Sequence, residues 1–124
     1  MIKIDHLVLT VKDISRTVHF YEHYLGFKKE TFSGGRIALR FTGGKINLHQ
    51  YGNEFEPRAA TPTPGSADLC FITDKNIGDL MPTLVEKGIE IIKGPVIKIG
   101  SQGEINSFYI RDPDNNLIEI SNYV

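Results

Sequence analysis

Histidine and carboxylate side chains set into apolar strand-like stretches are the residues of this chain best suited to chemistry. Glu119 lies in Leu117-Ile118-Glu119-Ile120-Ser121, where alternation puts Ile118 and Ile120 on one face and Leu117, Glu119 and Ser121 on the other. A carboxylate beside an apolar surface is costly unless it is paired or bound to a cation, and the plain alternative is a solvated face with Glu119 in water. His6 and Asp68 each start another stretch of apolar character, and Asn47 and His49 share one face of a third. Imidazole plus carboxylates suits a divalent ion such as Mn²⁺, Ni²⁺, Zn²⁺ or Fe²⁺, with open positions left for water or substrate. Tyr109 and Arg111 alternate on one strand and are candidates for orienting an anionic substrate, and Arg111 serves equally as a structural partner of Asp112 or Asp114. His19 and His23, four apart on a helix, have metal-capable spacing without a third ligand and read as surface residues. Cys70, the only cysteine, lies in Leu69-Cys70-Phe71-Ile72 and reads as a buried, inert thiol.

The elements that must position these residues form a repeat. Ile2 to Val11 reads as a strand. Asp13 is the expected N-cap of a helix to about Leu25, closed by Gly26, with Ile14, Val18, Tyr21 and Leu25 as its buried stripe. Strands follow at Phe27 to Phe32, Arg36 to Phe41 and Lys45 to Tyr51, joined at Gly34-Gly35 and Gly43-Gly44. Residues 52–66, rich in Pro and Gly, read as a linker, and Phe55 and Arg58 in it are placed to drape over a site. The second half repeats the order: a strand at Ala67 to Thr73, then a helix capped by Asn76 or Asp79 and ending near Lys87. Pro82 favours the later cap. Strands at Ile89 to Ile92, Ile105 to Arg111 and Leu117 to Asn122 complete it, with 93–104 read as a mobile loop. Asp112-Pro113-Asp114-Asn115-Asn116 is the turn before the last strand.

Superposing the halves by their first strands makes His6 and Asp68 equivalent, and superposing the final hairpins matches Asn47 with Glu119. The same faces thus offer His6, Asp68, Glu119 and either Asn47 or His49.

At 124 residues the chain is expected to be one domain. Fourteen basic and fifteen acidic residues give a net charge of −1, so nothing in the charge points to a nucleic-acid or membrane partner. No run approaches a membrane span, and a single cysteine fits a reducing cytoplasm.

The motifs Ile4-Asp5-His6-Leu7-Val8-Leu9-Thr10-Val11, Phe20-Tyr21 with Leu25-Gly26-Phe27, and Arg111-Asp112-Pro113-Asp114-Asn115-Asn116-Leu117-Ile118-Glu119-Ile120 resemble the vicinal oxygen chelate superfamily, also called the glyoxalase, bleomycin-resistance and dioxygenase fold. Ile46-Asn47-Leu48-His49-Gln50, Glu54-Phe55-Glu56-Pro57 and the stretch from Pro64 to Cys70 are similar to the glyoxalase-domain-containing protein 5 group, which includes virulence-associated bacterial proteins.

The resemblance implies an α+β fold of two βαβββ modules, 1–51 and 67–124, in one cupped eight-stranded domain that commonly forms homodimers. It implies a divalent metal held by His6, Asp68 and Glu119, with His49 or Asn47 at the fourth position, where the family usually has Glu or Gln. Asp68 stands where many members carry His. Glu119 and Asp68 are then the catalytic carboxylates, and Asn47, Tyr109 and Arg111 the substrate-binding residues. The expected activity is that of a metal-dependent lyase or isomerase acting on a small oxygenated substrate. The alternatives are a thiol transferase of the fosfomycin-resistance type and a metal-free, ligand-sequestering protein of the bleomycin-resistance type.

Overall fold

A computed structural model describes residues 1–124. The chain forms two compact units, Met1–Ser66 and Ala67–Val124. The unit boundary falls where the linker was expected to end, and residues 52–66 belong with the first unit.

The first unit runs β1 (His6–Val11), α1 (Ile14–Leu25), β2 (Lys28–Phe32), β3 (Arg36–Phe41) and β4 (Gly44–Gln50). Its mixed sheet has the order β1-β4-β3-β2, with β1 parallel to β4 and the other pairs antiparallel. The second unit runs β5 (Asp68–Ile72), α2 (Ile77–Glu86), β6 (Lys93–Gly100), β7 (Gly103–Arg111) and β8 (Leu117–Tyr123), in the order β5-β8-β7-β6. Both halves are therefore βαβββ.

Alternation explains the core. In the first unit α1 packs on β2, β3 and β4, and Val11, Leu39, Ile46 and Leu48 on the strands and Val18, Phe20 and Tyr21 on the helix are buried. Each such side chain contributes about 1.5–3 kcal/mol on leaving water. Thr17 and Phe20 fill the stripe beside Val18 and Tyr21, whereas Ile14 and Leu25 are only half-buried. Asp13 accepts a hydrogen bond from the Arg16 amide and Gly26 closes the helix at φ 73°, a left-handed conformation that glycine adopts without steric cost. In the second unit Phe108, Ile110, Ile118 and Ile120 are buried, and α2 packs on β7 and β8.

The repeat extends to the helix starts. Gln50 accepts from the Ile14 amide (3.4 Å) and donates to the Lys12 carbonyl (2.6 Å). Asn122 accepts from the Ile77 amide (2.9 Å) and donates to the carbonyls of Thr73 and Lys75. In each unit an amide on the last strand thus fixes the strand-to-helix turn.

Two elements depart from the sequence expectation. Asn76, not Asp79, caps α2, accepting from the Gly78 amide at 2.7 Å. Burial of Ile77 in the first turn holds the helix start there, and Pro82 lies inside the helix at the expense of one backbone bond. Residues 93–100, expected as a loop, form β6, and Ile89 to Ile92 is not a strand. β6 is the edge of its sheet, the place where a strand tolerates Pro95. The pairing with β7 shifts register between Lys93 and Val96, around Gly94 at φ 127°. No helix is long and apolar enough to cross a membrane.

Candidate functional site

In the second unit the Asp-Pro-Asp turn sets the origin of β8. The buried Asp112 carboxylate accepts from the amides of Asp114 (2.9 Å) and Asn116 (3.0 Å) and from the Asn116 side chain (2.8 Å). Asn116 in turn accepts from the Ala67 amide at 2.9 Å, tying the turn to the start of β5. Arg111 donates to the Asn115 carbonyl at 3.3 Å, so it braces this turn.

Glu119 then stands between Cys70 on β5 and Tyr109 on β7. Asp68 is its diagonal neighbour, opposite Leu117 and on the same face. Cys70, Tyr109 and Glu119 line an open cavity of about 460 Å³, together with Lys98, Ile105 and Tyr123. Glu119 Oε2 is buried and has no hydrogen-bond partner. The Tyr109 hydroxyl is pushed up to about 12, first by burial and then by the Glu119 carboxylate, so it stays protonated and can donate.

Cys70 was expected to be buried, and it is exposed. It shares the face of Asp68, while Leu69 and Phe71 take the helix side. Its Sγ lies 3.4 Å from Ser121 Oγ. Partial desolvation raises the thiol's pKa and the nearby Glu119 and Asp68 raise it further, against the Ser121 hydrogen bond. The group is a thiol, not a thiolate nucleophile.

In the first unit, register places Asn47 beside Val8 and Ala38, as Glu119 sits beside Cys70 and Tyr109. Asn47 is therefore the structural counterpart of Glu119, as the turns indicate. It is buried, and its Oδ1 lacks a partner. His6, opposite Lys45 as Asp68 is opposite Leu117, donates from Nδ1 to Asp5 Oδ1 at 2.8 Å. This contact holds the Asp5 carboxyl below its ordinary range and leaves His6 Nε2 free, the orientation given to metal-bound imidazoles by an outer carboxylate.

His49 has different neighbours. It is 3% exposed, and its Nε2 lies 3.3 Å from Arg36 Nη2. Guanidinium only donates, so Nε2 accepts and the ring proton is on Nδ1. Burial and then the Arg36 charge lower its pKa, partly offset by Glu54. A guanidinium against the imidazole is unlike the carboxylate or carbonyl that orients a metal ligand. Phe55 of the 51–66 loop covers this pair, 5.6 Å from the His49 ring and 4.7 Å from the Arg36 guanidinium. His19 and His23 stack with centroids 5.2 Å apart on the exposed side of α1.

Each unit thus gathers part of the predicted set: Asp68 and Glu119 in the second, His6 near Asn47 in the first. No three His, Cys, Asp or Glu side chains converge as a metal cluster. Taken unit by unit, the donor chemistry suits a divalent ion at the orphaned Glu119 carboxylate oxygen beside Asp68 in the second unit, and the Asp5-held His6 imidazole is a metal-capable donor in the first. Sequence reasoning missed Asp5 and the partnership of Arg36 with His49, which faces link across β3 and β4.

Two βαβββ units with paired polar positions at equivalent registers define a protein of the glyoxalase type. Residues 3–120 match the Glyoxalase/Bleomycin resistance protein/Dioxygenase superfamily, and the chain belongs to it. The chain is 61% identical over 122 residues, 98% of its length and 85% of the relative's, to virulence protein STM3117 of Salmonella typhimurium. The crystal structure of that protein superposes with a TM-score of 0.98, covering 100% of this chain and 98% of the other. Glyoxalase domain-containing protein RDO1 of Mycosarcoma maydis is 52% identical over 97% of this chain and 68% of its own length. The fold alone is shared with TnmS3, an antibiotic binding protein from Streptomyces (20% identity, 100% and 98% covered, TM-score 0.78). It is shared likewise with lactoylglutathione lyase from Agrobacterium tumefaciens (18%, 97% and 92% covered, TM-score 0.73).

Proposed function

We propose that the protein is a divalent-metal-dependent enzyme of lyase or isomerase type acting on a small oxygenated molecule. Glu119 and Asp68 of the second unit are the proposed protein ligands. The observation that carries this reading is the buried Glu119 Oε2 without a partner, because a carboxylate oxygen out of water requires a donor or a cation. A bound ion of nickel, zinc, manganese or iron type would supply Lewis-acid polarisation of a substrate oxygen. Tyr109, protonated at neutral pH, donates a hydrogen bond to a substrate oxygen in the cavity beside Glu119. One of the two carboxylates, Glu119 or the more exposed Asp68, would leave the ion to accept and return a substrate proton. The free, exposed Cys70 thiol suits a reducing compartment such as the cytoplasm.

The thiol-transferase reading needs clustered cations for a phosphonate. Arg40 is paired with Glu30, Arg58 with Glu54 and Glu56, and Arg111 with a turn carbonyl, so of these three and Arg36 only Arg36 lacks an acidic or carbonyl partner. The sequestering reading is favoured by one observation, the neutral Asn47 amide where the second unit has Glu119.

Elemental analysis and calorimetric titration of the purified protein with Mn²⁺, Ni²⁺ and Zn²⁺ test the proposal. Glu119→Gln is expected to weaken metal binding by about 10–100-fold with the fold intact. His49→Ala is expected to leave it unchanged. Metal affinity unaffected by Glu119→Gln overturns the metal reading in favour of the sequestering one.

A further inference from the structure

We infer that the first unit carries a carboxylate-recognition site for a small hydroxy acid, with Arg36 as the clamp and Asn47 as the acceptor for the neighbouring hydroxyl. The guanidinium lies 5.3 Å from the Phe32 ring and 4.7 Å from the Phe55 ring, within cation–π range of both. No carboxylate lies within ion-pair distance of it, although every other arginine on β3 and the 51–66 loop has one. Of its five donors one is committed, to His49 Nε2, and the fork that remains matches a planar carboxylate.

The surroundings narrow the ligand. Lys45, another cation of this face, lies 3.8 Å over the Phe32 ring and 3.9 Å from Glu30 Oε2, and Arg40 opposite it pairs with the same carboxylate at 3.1 Å, so both charges are partly offset. One free guanidinium beside a neutral imidazole suits a singly charged carboxylate better than a doubly charged phosphate or phosphonate. Asn47 shares the sheet face of Arg36 and His49, one strand pair along the ladder from them, at about 7 Å. Its buried Oδ1 has no donor, and the residue beside it on β3 is Ala38, whose methyl group offers it none. An acceptor in want of a donor next to a cation in want of an anion is the complement of a carboxylate bearing a nearby hydroxyl. Phe55, 47% exposed on its loop, forms the outer wall.

This inference requires no metal and is tested apart from it. The intact protein, labelled with ¹⁵N, is titrated with lactate, acetate, methyl lactate and methylphosphonate while the Arg36 Nε–H and His49 ring signals are followed. Lactate is expected to shift both signals saturably, and methyl lactate neither. Arg36→Lys, which keeps charge but not the fork, is expected to weaken lactate binding by about tenfold, and Arg36→Gln to abolish it. Asn47→Ala is expected to remove the preference for lactate over acetate. Glu119→Gln leaves lactate binding unchanged, so that loss of the metal reading does not touch this one. Lactate binding that survives Arg36→Gln, no saturable shift with any carboxylate, or tighter binding of methylphosphonate than of lactate overturns it.

Discussion

His49 is a buried neutral imidazole against a permanent cation, and the physics of that pair makes it a source of pH dependence. Its folded-state pKa lies below the ordinary 6.5 because burial and Arg36 both disfavour the imidazolium. The unfolded chain therefore binds the proton more readily. Stability is complete above the unfolded value and is lost as pH falls from about 6.5 towards the folded value. Urea unfolding followed from neutrality downward is expected to show this loss, and His49→Gln, whose side-chain oxygen still accepts from Arg36, is expected to flatten it. An unchanged slope in the variant would show that His49 titrates alike in both states. Asn47 was legible as the counterpart of Glu119 because both follow hairpin turns at a fixed distance, and the strand register reproduces that count. The pairing of Arg36 with His49 was not legible, since thirteen residues separate them and only the β3–β4 register opposes them. The exposure of Cys70 was legible in parity, but the apolar run around it masks the alternation.

The turn chemistry of Asp112 to Asn116 could be read directly, because each side chain there bonds the local backbone and needs no distant partner. The strand β6 could not. Gly94 and Pro95 interrupt its alternation, and what makes them compatible with a strand is the backbone of β7. A Cβ placed on Gly94 would stand 2.7 Å from Phe108 Cα and from the Ser107 carbonyl oxygen, and φ there is 127°. Gly94→Ala is therefore expected to destabilise the protein by at least about 1–3 kcal/mol, from backbone conformation alone. Chemical denaturation measures it. A cost near zero would mean that the bulge between Lys93 and Val96 relaxes freely and does not fix β6. The start of α2 fails from sequence for a related reason: burial of Ile77 outweighs a local rule about Pro82.

Each sheet ends in strands with open backbone groups, β1 and β2 in the first unit and β5 and β6 in the second. Open edges pair with other chains unless charge or covering elements prevent it. Here the edges carry apolar side chains in water: Val8 is 45% exposed on β1, Ile72 49% on β5, and Ile97 and Ile99 53% and 80% on β6. Ile2 and Ile4, ahead of β1, are exposed as well. A net charge of −1 gives little repulsion between copies. Lys98 lies between the two exposed isoleucines of β6, a charge of the kind that blunts an edge, whereas β5 has only Asp68 at its first residue. Self-association is thus expected through the edges of β1 and β5 rather than β6, as a closed homodimer. Light scattering at micromolar concentration is expected to return twice the 13.9 kDa of the chain. Val8→Lys and Ile72→Lys are expected to lower that mass, and Ile97→Lys to leave it unchanged. A mass of one chain for the unaltered protein, or dissociation by Ile97→Lys alone, would refute the assignment of these edges.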